Sequence, residues 1–263
     1  MTDKKRLIEG LSQSDEDKIL LARVYDRVHS GIQKSVATAS CFLAPRERAL
    51  AEQLLAYDNP TFWGGYEEPE RVVCCHVPDY FEPSEWLIGE DAPVVALRAT
   101  YFAKDEITHR DILGSLMGEG IKREAVGDIL VGVGQCDLLV TREIAPYLLQ
   151  NWMSAGRTKF RLAEIPLGDI ALPVVSTKTV RGTVATLRLD GVVAESFGLS
   201  RGKASGFING GKVTVNSLPC EKTDRQVAEG DTIALRGMGK IVLETVGNTT
   251  KKGRIAIEIK KFA

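Results

Sequence analysis

The fold of the C-terminal part of the chain is decided by residues 188–216, which read RLDGVVAESFGLSRGKASGFINGGKVTVN. Four apolar residues recur there at the spacing of one helix face: Leu189, Val192, Val193 and Phe197. Gly198 follows directly, and glycine is the usual residue just beyond a helix end because it adopts left-handed backbone angles without strain. The pattern predicts a short helix that ends at Gly198.

A second helix and several strands follow in the same stretch. Ser200 is a good N-cap, Ala204, Phe207 and Ile208 form an apolar stripe, and Gly210-Gly211 stops the helix. Four later runs alternate apolar and polar residues as strands do: KVTVN, TIALR, KIVLETV and RIAIEIKK. The sequence therefore predicts a helix-turn-helix followed by a small twisted sheet.

Charge is distributed unevenly along the 263 residues, although the net charge is only -1. Residues 181–263 contain 14 Lys and Arg against 8 Asp and Glu, whereas residues 1–180 contain 20 against 27. Neutralisation of phosphates by Lys and Arg supplies most non-specific affinity for nucleic acid. We therefore expect polyanion binding at the C-terminal end, with an uneven surface charge as the alternative.

Basic residues in the helical stretch are the candidate RNA contacts. Arg201 and Lys203 flank the apolar stripe, so their stems can pack on the core while their charged heads reach a phosphate. Ser200 leaves backbone N–H groups at the helix start that favour an anion. Any one of these residues is as often an ordinary surface charge. The hypothesis rests on four cations together: Arg188, Arg201, Lys203 and Lys212.

The string from Arg188 to Gly237 resembles the S4 domain, an RNA-binding module. It contains an Arg-Leu-Asp opening, a Gly-Lys-Val-x-Val-Asn strand and a Val-x-x-Gly-Asp-x-Ile segment near its close. This resemblance adds Asp190 and Asn216 to the predicted RNA-binding residues, although Asp190 is also a good helix N-terminal charge or partner of a nearby cation. Ser217 stands where many S4 domains have glycine, so the turn geometry there is in question.

The rest of the chain divides into two further predicted domains, giving an α+β protein. Residues 1–68 form an N-terminal helical region, with one helix capped by Ser14 and another begun by Pro45. Its first helix has a predicted apolar stripe: Ile19, Leu20, Ala22, Val24, Val28 and Ile32. Residues 69–178 alternate strand and helix patterns, which predicts an α/β domain whose sheet is covered by helices on one face. Residues 181–263 are the S4 domain.

FWGGYEEPER (Phe62 to Arg71) and THRDILGSLMGEGIKREAVGDILV (Thr108 to Val131) are similar to signature segments of the YlmH family, whose members are encoded near cell-division genes. This resemblance implies that the middle domain has an RNA-recognition-like fold. It also implies a role in ribosome-associated quality control, in which an RqcP-like S4 module binds ribosomal RNA and peptidyl-tRNA on obstructed 50S subunits. There it helps an RqcH-type factor add C-terminal alanine tails, with Arg188 and Arg201 as the expected RNA contacts.

The sequence supports an enzymatic function less well than RNA binding, and we predict a non-catalytic protein with no cofactor. Pseudouridine synthases continue an Arg-Leu-Asp motif with Thr and Gly, whereas this chain has Val193 and Glu195. No glycine-rich loop opens a predicted helix, and no Ser-His-Asp or Cys-His signature occurs. An RNA-modifying enzyme and a division-linked scaffold remain the alternatives.

We expect a cytoplasmic protein with no membrane contact, since no run approaches the length of a membrane span and the start resembles no signal peptide. We also expect a monomer off the ribosome. The five cysteines lack the spacing of a zinc site, so we expect buried thiols and no metal. Cys74 and Cys75 are adjacent in a strand pattern, which turns them to opposite faces.

Overall fold

The computed structural model describes residues 3–12, 14–173, 177–250 and 253–262. The chain folds into two compact units, Met1–Pro173 and Val174–Ala263. Helices and strands mix in the α+β class predicted from the sequence. The division into three domains, with boundaries at 68 and 178–181, stays a prediction.

The first part of unit 1 contains three helices and a small sheet. Its elements are α1 (Asp3–Leu11), α2 (Asp15–Lys34), β1 (Thr38–Leu43), α3 (Pro45–Leu54), β2 (Thr61–Trp63) and β3 (Val72–His76). Ser14 caps α2 as predicted, because its side chain accepts a hydrogen bond from the Asp17 N–H. The sequence missed β1, which lies between α2 and α3 and forms an antiparallel sheet in the order β1-β3-β2.

The predicted apolar stripe of α2 was right at Val24 and Val28 and wrong at its two ends. Ile19 and Ile32 are exposed, whereas the buried face holds Leu21, Val24 and Val28. Asp17 is also buried there, where Arg46 of α3 donates two hydrogen bonds of 2.7 Å to its carboxylate. The face of α2 that packs inward thus contains an ion pair that hydrophobic periodicity cannot detect.

The second part of unit 1 is a four-stranded sheet with helices. Its elements are α4 (Pro83–Ile88), β4 (Val94–Thr100), α5 (His109–Gly118), β5 (Val126–Val131), β6 (Gln135–Thr141), α6 (Ala145–Asn151), β7 (Ser154–Ala155), β8 (Thr158–Lys159) and β9 (Arg161–Ile165). All strand pairs of the larger sheet are antiparallel, in the order β5-β6-β4-β9. The β4-α5-β5-β6-α6-β9 succession gives the split βαβ topology of RNA-recognition domains, as expected.

Both faces of this sheet are covered, which corrects the prediction that one face is open. Leu97 and Leu138 pack on the side that also holds Ile112 of α5 and Leu148 of α6. On the opposite side, Ala96 and its neighbours pack against side chains of the small sheet: Phe42, Val73 and Cys75. The strands β1 and β3 therefore occupy the face that an RNA-recognition sheet normally presents to nucleotides.

The signature segment FWGGYEEPER fixes this cover in place. Tyr66 donates a hydrogen bond of 2.7 Å to the carboxylate of Asp128 in β5, which also accepts the backbone N–H groups of Glu70 and Arg71 at 2.8 and 3.1 Å. Arg71 bonds the carbonyls of Val126 and Phe42, both at 3.1 Å. The segment is a structural connection between the three-stranded and the four-stranded sheet of unit 1.

Unit 2 contains two helices on a six-stranded antiparallel sheet. Its elements are β10 (Thr177–Val184), α7 (Leu189–Phe197), α8 (Arg201–Asn209), β11 (Val213–Val215), β12 (Leu218–Pro219), β13 (Thr232–Leu235), β14 (Gly239–Thr249) and β15 (Ile255–Phe262). The strand order is β10-β15-β14-β13-β11-β12. Both helices have the predicted bounds, and Gly198 adopts a φ of 64° at the end of α7. Their apolar stripes pack with one face of the sheet in a single core.

Within the described ranges, no helix combines the length and apolar character needed to cross a bilayer. All five cysteines are free thiols, and four of them are buried. Burial raises the pKa of the Cys74 thiol to about 12, so this thiol is protonated at neutral pH. The described part of the chain holds no group of His, Cys, Asp and Glu side chains that could bind a metal ion.

Candidate nucleic-acid interface

The start of α7 is held by the loop that precedes β13. The Leu189 and Asp190 N–H groups donate to the carbonyls of Arg225 and Thr223 at 2.8 and 3.0 Å, and the Val227 N–H donates to Leu187 at 2.9 Å. These bonds satisfy N–H groups that lack partners in the first turn of a helix. They also fix Asp190 at the point where α7 and α8 approach each other.

Asp190 joins the two arginines that the sequence singled out. Its side chain is only 6% exposed, and one of its oxygens accepts a hydrogen bond of 3.0 Å from Nη2 of Arg201, eleven residues away in α8. Arg188, the residue before α7, donates to the same carboxylate from Nε at 3.4 Å and from Nη2 at 3.2 Å. A single buried acid therefore positions two guanidinium groups.

The protonation state of Asp190 follows from these contacts. Burial alone would raise its pKa, but the hydrogen bonds from Arg201 and Arg188 outweigh burial and hold the pKa below the ordinary value of 3.8. The carboxylate is thus charged at neutral pH. The side chain of Arg201 stays 57% exposed and that of Arg188 34%, so donors of both remain accessible to an anion.

Helix α8 adds an N-terminus and a lysine to the same region. The Ser200 hydroxyl accepts the N–H of Lys203 at 3.3 Å, which confirms the predicted cap. The N–H groups of Arg201 and Gly202 have no intrahelical acceptor, because the first such bond joins the Ala204 N–H to the Ser200 carbonyl, and the positive end of the helix dipole lies here. Lys203 is exposed and has no ion-pair partner in the described part of the chain.

Lys212 lies beyond the other end of α8. Its ammonium group is 5.5 Å from the centre of the Phe207 ring, so a ring of α8 supports the lysine while its charge stays in solvent. The N–H of exposed Arg236 donates to the Lys212 carbonyl at 2.9 Å, which adds a cation that the sequence did not single out. We name Arg188, Arg201, Lys203 and Lys212 the S4 surface.

Asn216 and Ser217 form the turn between β11 and β12. Both have positive φ angles, 50° and 66°, as the two central residues of a tight hairpin turn require. The Asn216 amide donates to the Asp231 carboxylate at 2.7 Å and accepts the Thr232 N–H at 2.9 Å. The turn therefore keeps left-handed geometry despite the serine, because Asn216 anchors it to the start of β13.

Asp190 and Asn216 consequently have roles inside the protein. The carboxylate of Asp190 is buried and would repel phosphate, while the polar atoms of the Asn216 amide are already bonded to Asp231 and Thr232. Both residues position other parts of the surface. Their direct contact with RNA stays a prediction, and the four cations are the better candidates.

Sequence reasoning missed a second group of lysines on unit 2. Lys240 lies 4.5 Å from the centre of the Phe262 ring, Lys260 lies 6.0 Å from the same ring, and Lys261 lies 5.3 Å from Phe197. Lys240 and Lys260 are twenty residues apart in sequence and reach the same ring through the pairing of β14 with β15. Lys261 follows Lys260 directly and lies on the opposite face of the strand, against α7. The positive balance of residues 181–263 was the only early sign of them.

A helix-turn-helix that presents arginines and lysines beside a small sheet defines an S4-type RNA-binding protein. Residues 187–233 match the family described as "S4 domain". Residues 94–169 match the family described as "Putative RNA-binding domain in YlmH". The two matches fall on α7 to β13 and on the four-stranded sheet of unit 1.

The chain is 33% identical over 216 residues to the ribosome-associated protein quality control protein P2 of Bacillus subtilis strain 168, covering 81% of this chain and 82% of that protein. It therefore belongs to the YlmH family of S4-domain proteins. It is also similar to the solved structure of the cell division protein ylmH from Streptococcus pneumoniae. That similarity has a TM-score of 0.48 and 23% identity, and covers 60% of this chain and 96% of that one.

Proposed function

We propose that this protein is a non-catalytic RNA-binding factor that binds ribosomal RNA and peptidyl-tRNA on obstructed 50S subunits in the cytoplasm. There it supports ribosome-associated quality control by helping an RqcH-type factor add C-terminal alanine tails. The observation that carries the proposal is the buried Asp190 with its two arginines. Its carboxylate holds both guanidinium groups in place, and their remaining donors can bind phosphates.

The geometry favours recognition of RNA shape and phosphate over base sequence. Arg201 and Lys203 of the S4 surface lie in the first turn of α8. Arg188 directly precedes α7, and Lys212 lies between α8 and β11. The major groove of an RNA helix is deep and narrow, so structured RNA is recognised mainly through phosphates and 2′-hydroxyls. The family relationship supports the ribosome as the source of that RNA.

The test is binding of the purified full chain to 50S subunits carrying peptidyl-tRNA, measured by co-sedimentation. Arg201→Ala and Arg188→Ala are compared separately, because each single variant leaves Asp190 one arginine partner. We expect each to weaken binding about tenfold, since a hydrogen bond to a charged group contributes about 1.5 kcal/mol or more. Unchanged binding by both folded variants would refute the assigned surface.

A second assay separates the quality-control role from RNA binding alone. Alanine tailing is measured with an RqcH-type factor, obstructed 50S subunits and either the wild-type chain or Arg201→Ala. Loss of tailing in proportion to lost 50S binding supports the proposal. Normal tailing without bound protein contradicts the role in tailing.

The alternative function is tested on ribosomal RNA from a deletion strain. Loss of an rRNA modification in that strain would favour an RNA-modifying enzyme.

A further inference from the structure

The RNA-recognition-like sheet of unit 1 has one uncovered row at the end of its strands. Arg98 lies on the face that β1 and β3 cover, since its neighbours Leu97 and Ala99 lie in the core on the helix side. Two residues further along β4, Thr100 lies on the same face and is exposed. It pairs with Gln135 of β6 and Arg161 of β9, so these three residues form the last row across the sheet.

The row before it is closed. Arg98 donates to the Asp137 carboxylate at 2.6 and 2.7 Å and to the Asp169 carbonyl at 2.7 Å, and the Ala171 N–H also donates to Asp137 at 2.7 Å. Residues 169–171 therefore cross the sheet at this row. The cover ends there, and the Thr100 row lies beyond it.

Two exposed apolar side chains lie at the same end of the sheet. Phe102 follows β4 and is 75% exposed, and Val133 lies in the β5–β6 turn and is 85% exposed. Tyr101 ties these two segments together, because its N–H donates to Gly134 at 3.0 Å and its hydroxyl bonds the carbonyls of Gly132 and Gln135 at 2.8 and 3.0 Å. The backbone beside Phe102 is thus fixed while its ring is left in solvent.

The surrounding charge is mainly positive. Lys104 lies 5.8 Å from the centre of the Phe102 ring, and Arg161 belongs to the uncovered row. Lys159, two residues before Arg161, is also exposed. Within the described ranges, none of these three cations forms an ion pair, although Asp105 and Glu106 follow Lys104 in sequence. An exposed ring amid unpaired cations fits an RNA strand better than an apolar protein surface.

We propose that this end of the sheet, formed by Phe102, Lys104, Val133 and Arg161, binds unpaired RNA nucleotides. Phe102 stacks against a base, and Lys104 and Arg161 contact the flanking phosphates. Stacking on an aromatic ring accepts any base, because every base has a flat face. The proposal deepens the RNA-binding function proposed above, and it replaces the covered sheet face with the sheet end as the contact of this domain.

The test measures fluorescence anisotropy of a labelled short oligouridine with the full chain at low salt. We expect Phe102→Ala to weaken binding roughly tenfold, in the range of a lost base stack. Phe102→Trp should retain wild-type affinity, because the larger ring can stack as well. Tyr57→Ala is the matched control, since Tyr57 is a fully exposed aromatic residue of the same unit.

Lys104→Ala with Arg161→Ala should make the salt dependence of this binding shallower, by about 0.7 in log–log slope for each lost phosphate contact. Equal affinity of Phe102→Ala and wild type would overturn the proposal, and so would Phe102→Trp binding as weakly as Phe102→Ala. A protein partner that resists RNase and is lost in Phe102→Ala, with oligouridine binding unchanged, would likewise overturn it.

Two measurements separate this proposal from the function of the S4 surface: 50S binding by Arg201→Ala and oligouridine binding by Phe102→Ala. Arg201→Ala tests the S4 surface, and its result does not depend on Phe102. Weakened 50S binding by Arg201→Ala together with unchanged oligouridine binding by Phe102→Ala rejects only the sheet-end contact. The reverse pair of results rejects only the S4 surface.

Discussion

One arginine–aspartate cluster in each unit allows a comparison, because the two have similar chemistry and different surroundings. In unit 1, Asp137 is 1% exposed and accepts Arg98 and the Ala171 N–H, while Arg98 also bonds the Asp169 carbonyl. In unit 2, Asp190 likewise accepts hydrogen bonds from two arginines, Arg188 and Arg201, but the Arg201 side chain remains more than half exposed. The first cluster is closed and stabilises the fold, whereas the second is open and can bind a ligand.

We infer from this difference that an arginine is available to a ligand through its free donors, whereas its ion pair only fixes its position. A buried acid in each cluster removes the flexibility of a long side chain. In unit 1, segment 169–171 lies over the pair. The Asp169 carbonyl accepts a further hydrogen bond from Arg98, and the Ala171 N–H donates to Asp137. In unit 2 the side chains of Arg188 and Arg201 stay 34% and 57% exposed although both are bonded to Asp190. Under the proposed function, this bonding lowers the entropy cost of ordering the arginines when RNA binds.

The largest expected effect is on the closed cluster. Asp137→Ala leaves Arg98 without its carboxylate and the Ala171 N–H without an acceptor, so unfolding of unit 1 should become easier by about 3 kcal/mol. Urea denaturation followed by tryptophan fluorescence measures this change. Arg98→Met combined with Asp137→Leu should recover most of the loss, because it removes both charges together. A loss below about 1 kcal/mol for Asp137→Ala would mean that the pair is not structural.

The open cluster should show the opposite pattern, with a large effect on binding and a small one on folding. Arg188→Gln with Arg201→Gln keeps amide donors for Asp190 but removes both positive charges. We expect 50S affinity to fall on the order of a hundredfold, from about 1.5 kcal/mol for each lost charged contact. The matched control is Arg6→Gln with Arg110→Gln, two exposed arginines of unit 1, which should bind within about twofold of wild type.

Removing the acid of the open cluster should have an intermediate effect. Asp190→Asn keeps the shape of the side chain but loosens both arginines, so 50S affinity should fall about threefold to tenfold. Unit 2 should lose about 1 kcal/mol at pH 7, a modest value because both arginines are partly exposed and screened. An affinity equal to wild type would show that the arginines do not need Asp190 to be positioned.

The pH dependence of that stability difference follows from the lowered pKa of Asp190. The folded protein holds this proton more weakly than the unfolded chain, so the stabilisation is complete above the ordinary pKa of 3.8 and is lost as pH falls through the lower folded value. The gap between wild type and Asp190→Asn should therefore close below about pH 4 in urea denaturation. A gap that stays constant into strong acid would contradict the ion pairs.

The smallest effect should come from the turn of unit 2. Ser217 has a φ of 66°, which is strained for any residue with a Cβ and is relaxed for glycine. Ser217→Gly should stabilise unit 2 by about 0.5–1 kcal/mol in thermal denaturation and leave RNA affinity unchanged. Ser217→Ala keeps the Cβ and should give no gain, which makes it the control.

Much of unit 2 was predictable because its signals are local. The caps and stops of α7 and α8 lie within a few residues of the helices that they bound, and the structure confirms Gly198 and Ser200 in those roles. The partner of Asp190 in α8 is eleven residues away, so the sequence indicated only that some nearby cation was available. Asn216 was predicted from a motif, whereas its bonds to β13 depend on strand pairing.

Unit 1 was harder to predict because its decisive contacts are distant in sequence. The strand pattern of β3 was recognised, but its pairing with β1 joins residues about thirty positions apart and covers the sheet face that the domain type suggests for RNA. Helical periodicity placed Val24 and Val28 of α2 correctly but missed Asp17, whose burial depends on the ion pair with Arg46 of α3. Phe102 carried no pattern at all, because only the uncovered end of the sheet distinguishes it from other aromatic residues.

We propose that the S4 surface binds RNA through phosphates, and the salt dependence of 50S binding is the decisive measurement of this claim. About four phosphate contacts predict a loss of affinity on the order of a hundredfold between about 50 and 200 mM salt. For Arg188→Gln with Arg201→Gln, the log–log slope should be shallower than that of wild type by about 1.5, since two contacts are lost. A variant slope equal to the wild-type slope would contradict the claim, because the two arginines would then contact no phosphate.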